Sequence, residues 1–229
     1  MQTSSLKTEF DNFFTSMNQY TDLLVKVIKT KKLVLAKNAE KEILPKLLQT
    51  EKKQIHEAFV LKICATWEIL VENVFVECLL RDTSKYKERT GIILPRKKLT
   101  KDICKGLVCG LGYFSFRDAS DLKGMAKKFL ADTYNPFNKI PTDFVKKIDE
   151  FYSIRNHIAH RSNAARQSLR RRYKQNYNMK RFRPPGDFLF DIIEFVESGE
   201  RGKEIRFANY SKAFEKAADE MAMFLGIRI

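Results

Sequence analysis

The sequence predicts an all-α protein, an antiparallel helical bundle with extra helices at its N- and C-terminal ends. Three observations carry that expectation. Apolar residues recur at three- and four-residue spacings over long stretches. Only 9 glycines and 6 prolines punctuate 229 residues, a composition that suits helices. Hydrophobic residues make up 44%, enough for a buried core and too many for wholesale disorder. The length fits a single domain over residues 1–229, with 161–186 as a basic crossover segment.

Taken in order, Ser4 to Ala36 reads as a helix whose stripe holds Phe10, Phe13, Phe14, Met17, Leu24, Val27 and Ile28. Ser4 or Ser5 supplies its cap. Pro45 is expected to break or kink the chain between Lys37 and Thr50. Glu51–Arg81 is the longest and most apolar helix. Phe59, Ile63, Trp67, Leu70, Val74 and Cys78 form one face, flanked by Cys64, Val71, Phe75 and Leu79. A helix apolar over more than half its circumference is expected at the centre, with Trp67 as a core anchor. Ser84–Thr100, basic and broken by Pro and Gly, reads as a connection. Short helices follow over about Lys101–Cys109 and Ser120–Ala131, the second capped by Asp118 or Ser120. Tyr134–Pro141 reads as a loop, and Pro141 as the first-turn proline of the next helix. Asp187–Val196 fits a strand or a helix, and Asn209–Leu225 is a last amphipathic helix.

The charge balance points to a partner. Lys and Arg number 43 against 28 Asp and Glu, a formal charge of +15, and the pI is about 9.6. A polyanion is the expected ligand, nucleic acid before membrane. Cys64, Cys78, Cys104 and Cys109 show no CxxC spacing, and three histidines do not complete a zinc site, so no metal and no cofactor is expected. Cys64 and Cys78, inside an apolar run, read as buried reduced thiols. No run of about 18 uncharged apolar residues offers a membrane span. Met1–Phe14 lacks the apolar core of a signal peptide, so the expected compartment is the cytoplasm.

The chemistry gathers in Phe151–Arg161. Phe144, Val145, Ile148, Phe151, Tyr152 and Ile154 form a helical stripe. At about 100° per residue, Arg155 projects into the middle of it, where an obligate cation is costly without a specific partner. Asn156 and His160, four residues apart, share the neighbouring face. His157 points away from His160 and is expected to be exposed and uninvolved. His56 is expected to be a solvated or packing histidine. An imidazole can move a proton near neutral pH, a guanidinium can stabilise a phosphorane, and an amide can hold either in register. Those groups suffice to cleave RNA through its own 2′-hydroxyl, and DNA lacks that nucleophile. One histidine does not serve comfortably as both base and acid, so a second copy across a two-fold axis is expected to supply the other.

From Arg161 to Arg183 come nine basic residues and no acidic one. The bland reading is a solvated face or a disordered crossover. The functional reading is a grip on RNA by Arg161, Arg166, Arg170, Arg171, Arg172 and Lys174, with Tyr173 and Tyr177 stacking on unpaired bases.

The run Arg155-Asn-His-Ile-Ala-His160 resembles the signature of the HEPN superfamily, an arginine followed after four to six residues by a histidine, with asparagine favoured next to the arginine. Ala65-Thr-Trp-Glu-Ile-Leu-Val-Glu72 is similar to the family's earlier core helix, and the resemblance covers about Glu51–Arg161. It implies an HEPN-like all-α fold and a metal-independent endoribonuclease working as a homodimer on single-stranded or loop RNA, in bacterial or archaeal toxin or antiviral defence systems. It implies Arg155 and His160 as the catalytic pair, Asn156 as helper, and Glu68 or Glu72 orienting Arg155. A cognate antitoxin or defence-system protein is the implied partner. HEPN toxins paired with a nucleotidyltransferase antitoxin usually carry a tyrosine two residues after the histidine, and here that position is Ser162. The alternative within the resemblance is a catalytically silent dimer that binds nucleic acid or protein. A helical interaction protein with a chance RNHIAH run stands outside it.

Overall fold

The computed structural model describes residues 3–37, 43–93, 99–110, 114–197 and 200–228. Among the described residues the chain is all-α apart from one two-stranded hairpin. Its elements are α1 Thr3–Lys37, α2 Ile43–Arg81, α3 Ser84–Thr90, α4 Lys101–Cys109, α5 Ala119–Phe129, α6 Thr142–His160, α7 Asn163–Tyr177, α8 Pro185–Leu189, β1 Ile192–Glu197, β2 Glu200–Ile205 and α9 Arg206–Phe224.

Most helices fall where periodicity puts them, and the differences have physical reasons. The central helix starts at Ile43 and runs through Pro45 without a break. Proline is harmless there, because the first turn of a helix has no intrahelical use for that N–H. The uncertain stretch before it, 38–42, lies outside the described residues. The supposed connection after Arg81 contains α3, which Gly91 stops in the left-handed conformation (φ 73). The expected loop before α6 holds two 3-10 turns, Asp132–Tyr134 and Pro136–Lys139. Asp187–Val196 divides between the end of α8 and strand β1, which pairs antiparallel with β2 in the register Ile192 to Ile205 through Glu197 to Glu200.

The chain divides into two compact units. The first comprises Met1–Phe14, Ala65–Asp149 and Ala213–Ile229, the second Thr15–Cys64 and Glu150–Lys212. In the first unit Trp67 is fully buried, as its helical spacing predicts, and meets the Phe13 and Phe214 rings edge-on at 6.0 and 5.5 Å. Phe75 packs against Phe114 and Phe137. Asp118 caps α5 through the Asp121 N–H, and Asp149 accepts from both the backbone N–H and the hydroxyl of Ser120. Glu77 is buried with Lys101 Nζ at 3.3 Å and Arg81 Nε at 3.8 Å. Burial pushes the free thiol of Cys78 up to about 12 and that of Cys104 up to about 11, so both stay protonated, as inert core thiols do.

In the second unit His56 is buried, its ring edge-on to Phe190 at 4.9 Å and Phe207 at 5.3 Å, which makes it a packing histidine. Phe151 adds contacts with Phe207 and Tyr210. Helix α8 lies so close to α2 that a Cβ on Gly186 would come within 2.9 Å of the Lys53 Cα, and Lys53 also pairs with Asp187 at 2.6 Å. Helix α2 is not enclosed all round, since Leu61 and Ile69 are 39% and 60% exposed. No helix among the described residues is long and apolar enough to cross a membrane.

Candidate functional site

Helix α6 starts at Thr142 with Pro141 at the cap position, one residue later than a first-turn Pro141 implies. The Pro141 carbonyl accepts from the N–H groups of Phe144 and Val145, both at 3.1 Å. Val145, Ile148, Phe151, Tyr152, Ile154 and Ile158 are buried along its length. The helix ends on His160, and Arg161 turns the chain with a φ of 47°. That left-handed conformation is unusual for an arginine. The Arg161 N–H still reaches the His157 carbonyl at 2.9 Å. Ser162 then caps α7, its hydroxyl accepting from the Ala165 N–H at 3.2 Å.

The structure keeps Arg155, Asn156 and His160 on the last turns of α6. Arg155 Nη1 donates to the Asn156 side-chain oxygen at 3.1 Å. Both residues are half-buried and His160 is exposed. Arg155 is thus neither fully enclosed nor open to solvent.

His157 departs from expectation. It is half-buried, its ring meets Phe182 edge-on at 5.4 Å, and its Nδ1 is buried with no partner. Burial lowers its pKa from the usual 6.5, and the Arg166 and Arg161 charges lower it further. The chain doubles back over this face through Phe182, which a helical wheel of α6 alone does not reveal.

Glu68 and Glu72 lie one turn apart on α2, both half-buried. Glu72 is engaged by Lys105 of α4, with the ammonium 2.5 Å from its carboxylate, and that contact raises the lysine pKa. Neither spacing nor composition signals this pair.

The basic tract is helical over Asn163–Tyr177. Arg161, Arg166, Arg170, Arg171 and Lys174 are exposed, and Arg172 is half-buried. Tyr173 is enclosed and has no face to offer a base, whereas Tyr177 is partly engaged. Tyr173 is 1% exposed, with Phe188 at 4.2 Å and Phe182 stacked at 6.1 Å. Tyr177 keeps an exposed edge, but its hydroxyl donates to Glu150 at 2.8 Å and lies 3.2 Å from that of Tyr210. The Arg206 guanidinium covers its ring at 4.6 Å. The physical reason is the seam: Leu169 and Tyr173, four apart, are the apolar face by which α7 packs. Arg183, the last basic residue of the tract, is engaged within the chain. It holds Asp191 with both terminal nitrogens and donates to the Asp187 carbonyl at 3.2 Å.

Sequence reasoning missed Glu150, Arg206 and Phe182, which seat α7. A hydroxyl-bearing residue at the end of the Leu169–Tyr173–Tyr177 row was the available signal, since buried tyrosines seek a polar partner. Among the described residues no three His, Cys, Asp or Glu side chains converge as a metal-ligand set. No protein-family model, curated protein or solved structure matches the chain. The resemblance to the HEPN superfamily stands on the residues of α2 and α6 alone.

Proposed function

We propose that the chain is a metal-independent endoribonuclease of the HEPN kind, acting in a defence or toxin system as a homodimer with a composite site. One observation carries the reading. An exposed His160 ends α6, an Arg155–Asn156 pair lies within the preceding turns, and a helix with no acidic residue begins three positions later.

The chemistry follows from those groups. One imidazole takes the proton of the 2′-hydroxyl as its oxygen attacks the adjacent phosphorus. The guanidinium of Arg155 stabilises the charge that grows on the phosphorane oxygens. The other protomer's imidazole returns a proton to the departing 5′-oxygen. The P–O5′ bond breaks as the P–O2′ bond forms, leaving a 2′,3′-cyclic phosphate and a 5′-hydroxyl. Asn156 holds the Arg155 head in place by the hydrogen bond between them. Tyr173 is not carried into this proposal, and Tyr177 contributes only its edge.

The test is to incubate RNA with the protein in EDTA beside Arg155→Ala and His160→Ala variants. Expected is cleavage that survives the chelator, leaves cyclic phosphate ends and drops at least about a hundredfold in each variant. Variants that cut as well as the wild type would overturn the assignment. Tight RNA binding without cleavage by the wild type would favour the silent binding dimer.

A further inference from the structure

Helix α7 leaves most of its circumference to solvent. Leu169 and Tyr173 are its buried side chains, while Asn163, Arg166, Gln167, Arg170, Arg171 and Lys174 are exposed. Arg166, Arg170 and Lys174 recur every four residues, so their stems are spaced about 6 Å apart along one side of the helix. The amides of Asn163 and Gln167 stand among these cations.

Among the described residues the aromatic rings of this region are each engaged. Tyr173 is enclosed, Arg206 lies over Tyr177, which is 36% exposed, and Phe182 carries the Arg166 guanidinium at 5.0 Å and meets the His157 ring at 5.4 Å. Proteins that hold unpaired strands rely on aromatic faces for the bases together with cations for the phosphates. Proteins that hold paired RNA use phosphate and 2′-hydroxyl contacts and read shape. A protein partner would be met by an apolar or aromatic centre, which the exposed side of α7 lacks.

Resting on the ribonuclease reading, we infer that α7 grips the base-paired stem of a folded RNA and presents an unpaired nucleotide beside that stem to His160. The row of cations follows the phosphates of one strand, and the amides reach 2′-hydroxyls across the shallow groove. A paired A-form strand holds its 2′-oxygen out of line with the scissile bond, so cleavage falls where pairing ends. Tyr177, near the far end of α7, is bonded to Glu150 of α6, about 15 Å before His160 along the same helix. Grip and imidazole therefore belong to one hairpin of helices, whose residues from Glu150 to Tyr177 lie within the second unit.

The experiment measures binding with the full-length His160→Ala protein, so that no cleavage intervenes. The probes are a hairpin RNA, an unstructured RNA of the same composition and a hairpin DNA, titrated by fluorescence anisotropy across a salt series. Expected is binding of the hairpin RNA about tenfold or more tighter than either other probe. Changing Arg166, Arg170 and Lys174 together to Gln should lower the slope of log affinity against log salt by about two to three. Thermal melting of the triple variant checks that these exposed changes leave the fold intact. Equal or tighter binding of the unstructured RNA overturns the inference, as does equal binding of the DNA hairpin. An unchanged salt slope in a folded triple variant overturns it too, and preferential capture of an acidic peptide in place of hairpin RNA would replace RNA with a protein partner. A wild-type protein that prefers hairpin RNA yet never cuts it sinks the ribonuclease reading and leaves the stem grip standing.

Discussion

Arg155, His157 and His160 share six consecutive positions of one helix and end in three different environments. Their identities and spacing were legible in the sequence; their burial was decided by what returns over them. A helical wheel puts Arg155 inside the stripe, and the structure leaves it half-buried, five residues before α6 ends. The same wheel puts His157 outside because it has no partners, whereas Phe182 comes back to cover it. This yields a pH prediction. The folded state holds the His157 pKa below the ordinary 6.5, so as pH falls the unfolded chain binds that proton first. The histidine's neutral form contributes stability that is complete above pH 6.5 and is lost as pH falls toward and through its folded value. Melting temperature should decline over that window in the wild type and decline less steeply in His157→Leu, measured by circular dichroism. Parallel slopes for the two proteins would dissociate the decline from His157.

At the scale of elements, long periodic helices were legible and short or tertiary-dependent pieces were not. Helix α4 falls on its expected bounds because Thr100 supplies a cap, its hydroxyl accepting from Ile103, and Gly110 follows the last helical residue. The hairpin was half missed, because β2, Glu-Arg-Gly-Lys-Glu-Ile, has no alternating apolar face and exists by pairing with β1. Contact between α2 and α8 was invisible to any local pattern, and it makes a paired test. Gly186→Ala would force its new methyl against the Lys53 backbone, so a loss of about 1–3 kcal/mol is expected. Gly124→Ala, inside α5 with nothing within 4 Å of its added Cβ, should instead gain about 0.5–1 kcal/mol. Urea denaturation of both variants decides the point. A neutral Gly186→Ala would mean that α8 yields easily and that its approach to Lys53 is not a constraint.

For the whole molecule, the all-α class was legible from composition and period. The division into two units was not, because α1, α2, α6 and α9 each contribute residues to both without any interruption of their pattern. The proposed function adds a requirement at this scale, since a protomer brings one exposed His160 to a reaction that moves one proton off an oxygen and another on. A cleft shared across a two-fold axis needs both histidines, so a dimer with one His160→Ala protomer should be inactive. Co-expressing wild-type and His160→Ala chains in varied ratios then gives activity that follows the square of the wild-type fraction, because only wild-type pairs carry both groups. A protomer that cleaves by itself gives a straight line. Differently tagged chains purified by two affinity steps isolate the mixed dimer directly, and its specific activity should match that of the His160→Ala homodimer. Half of the wild-type activity in that purified species would place a complete catalytic apparatus within a single chain and remove the two-fold axis from the mechanism.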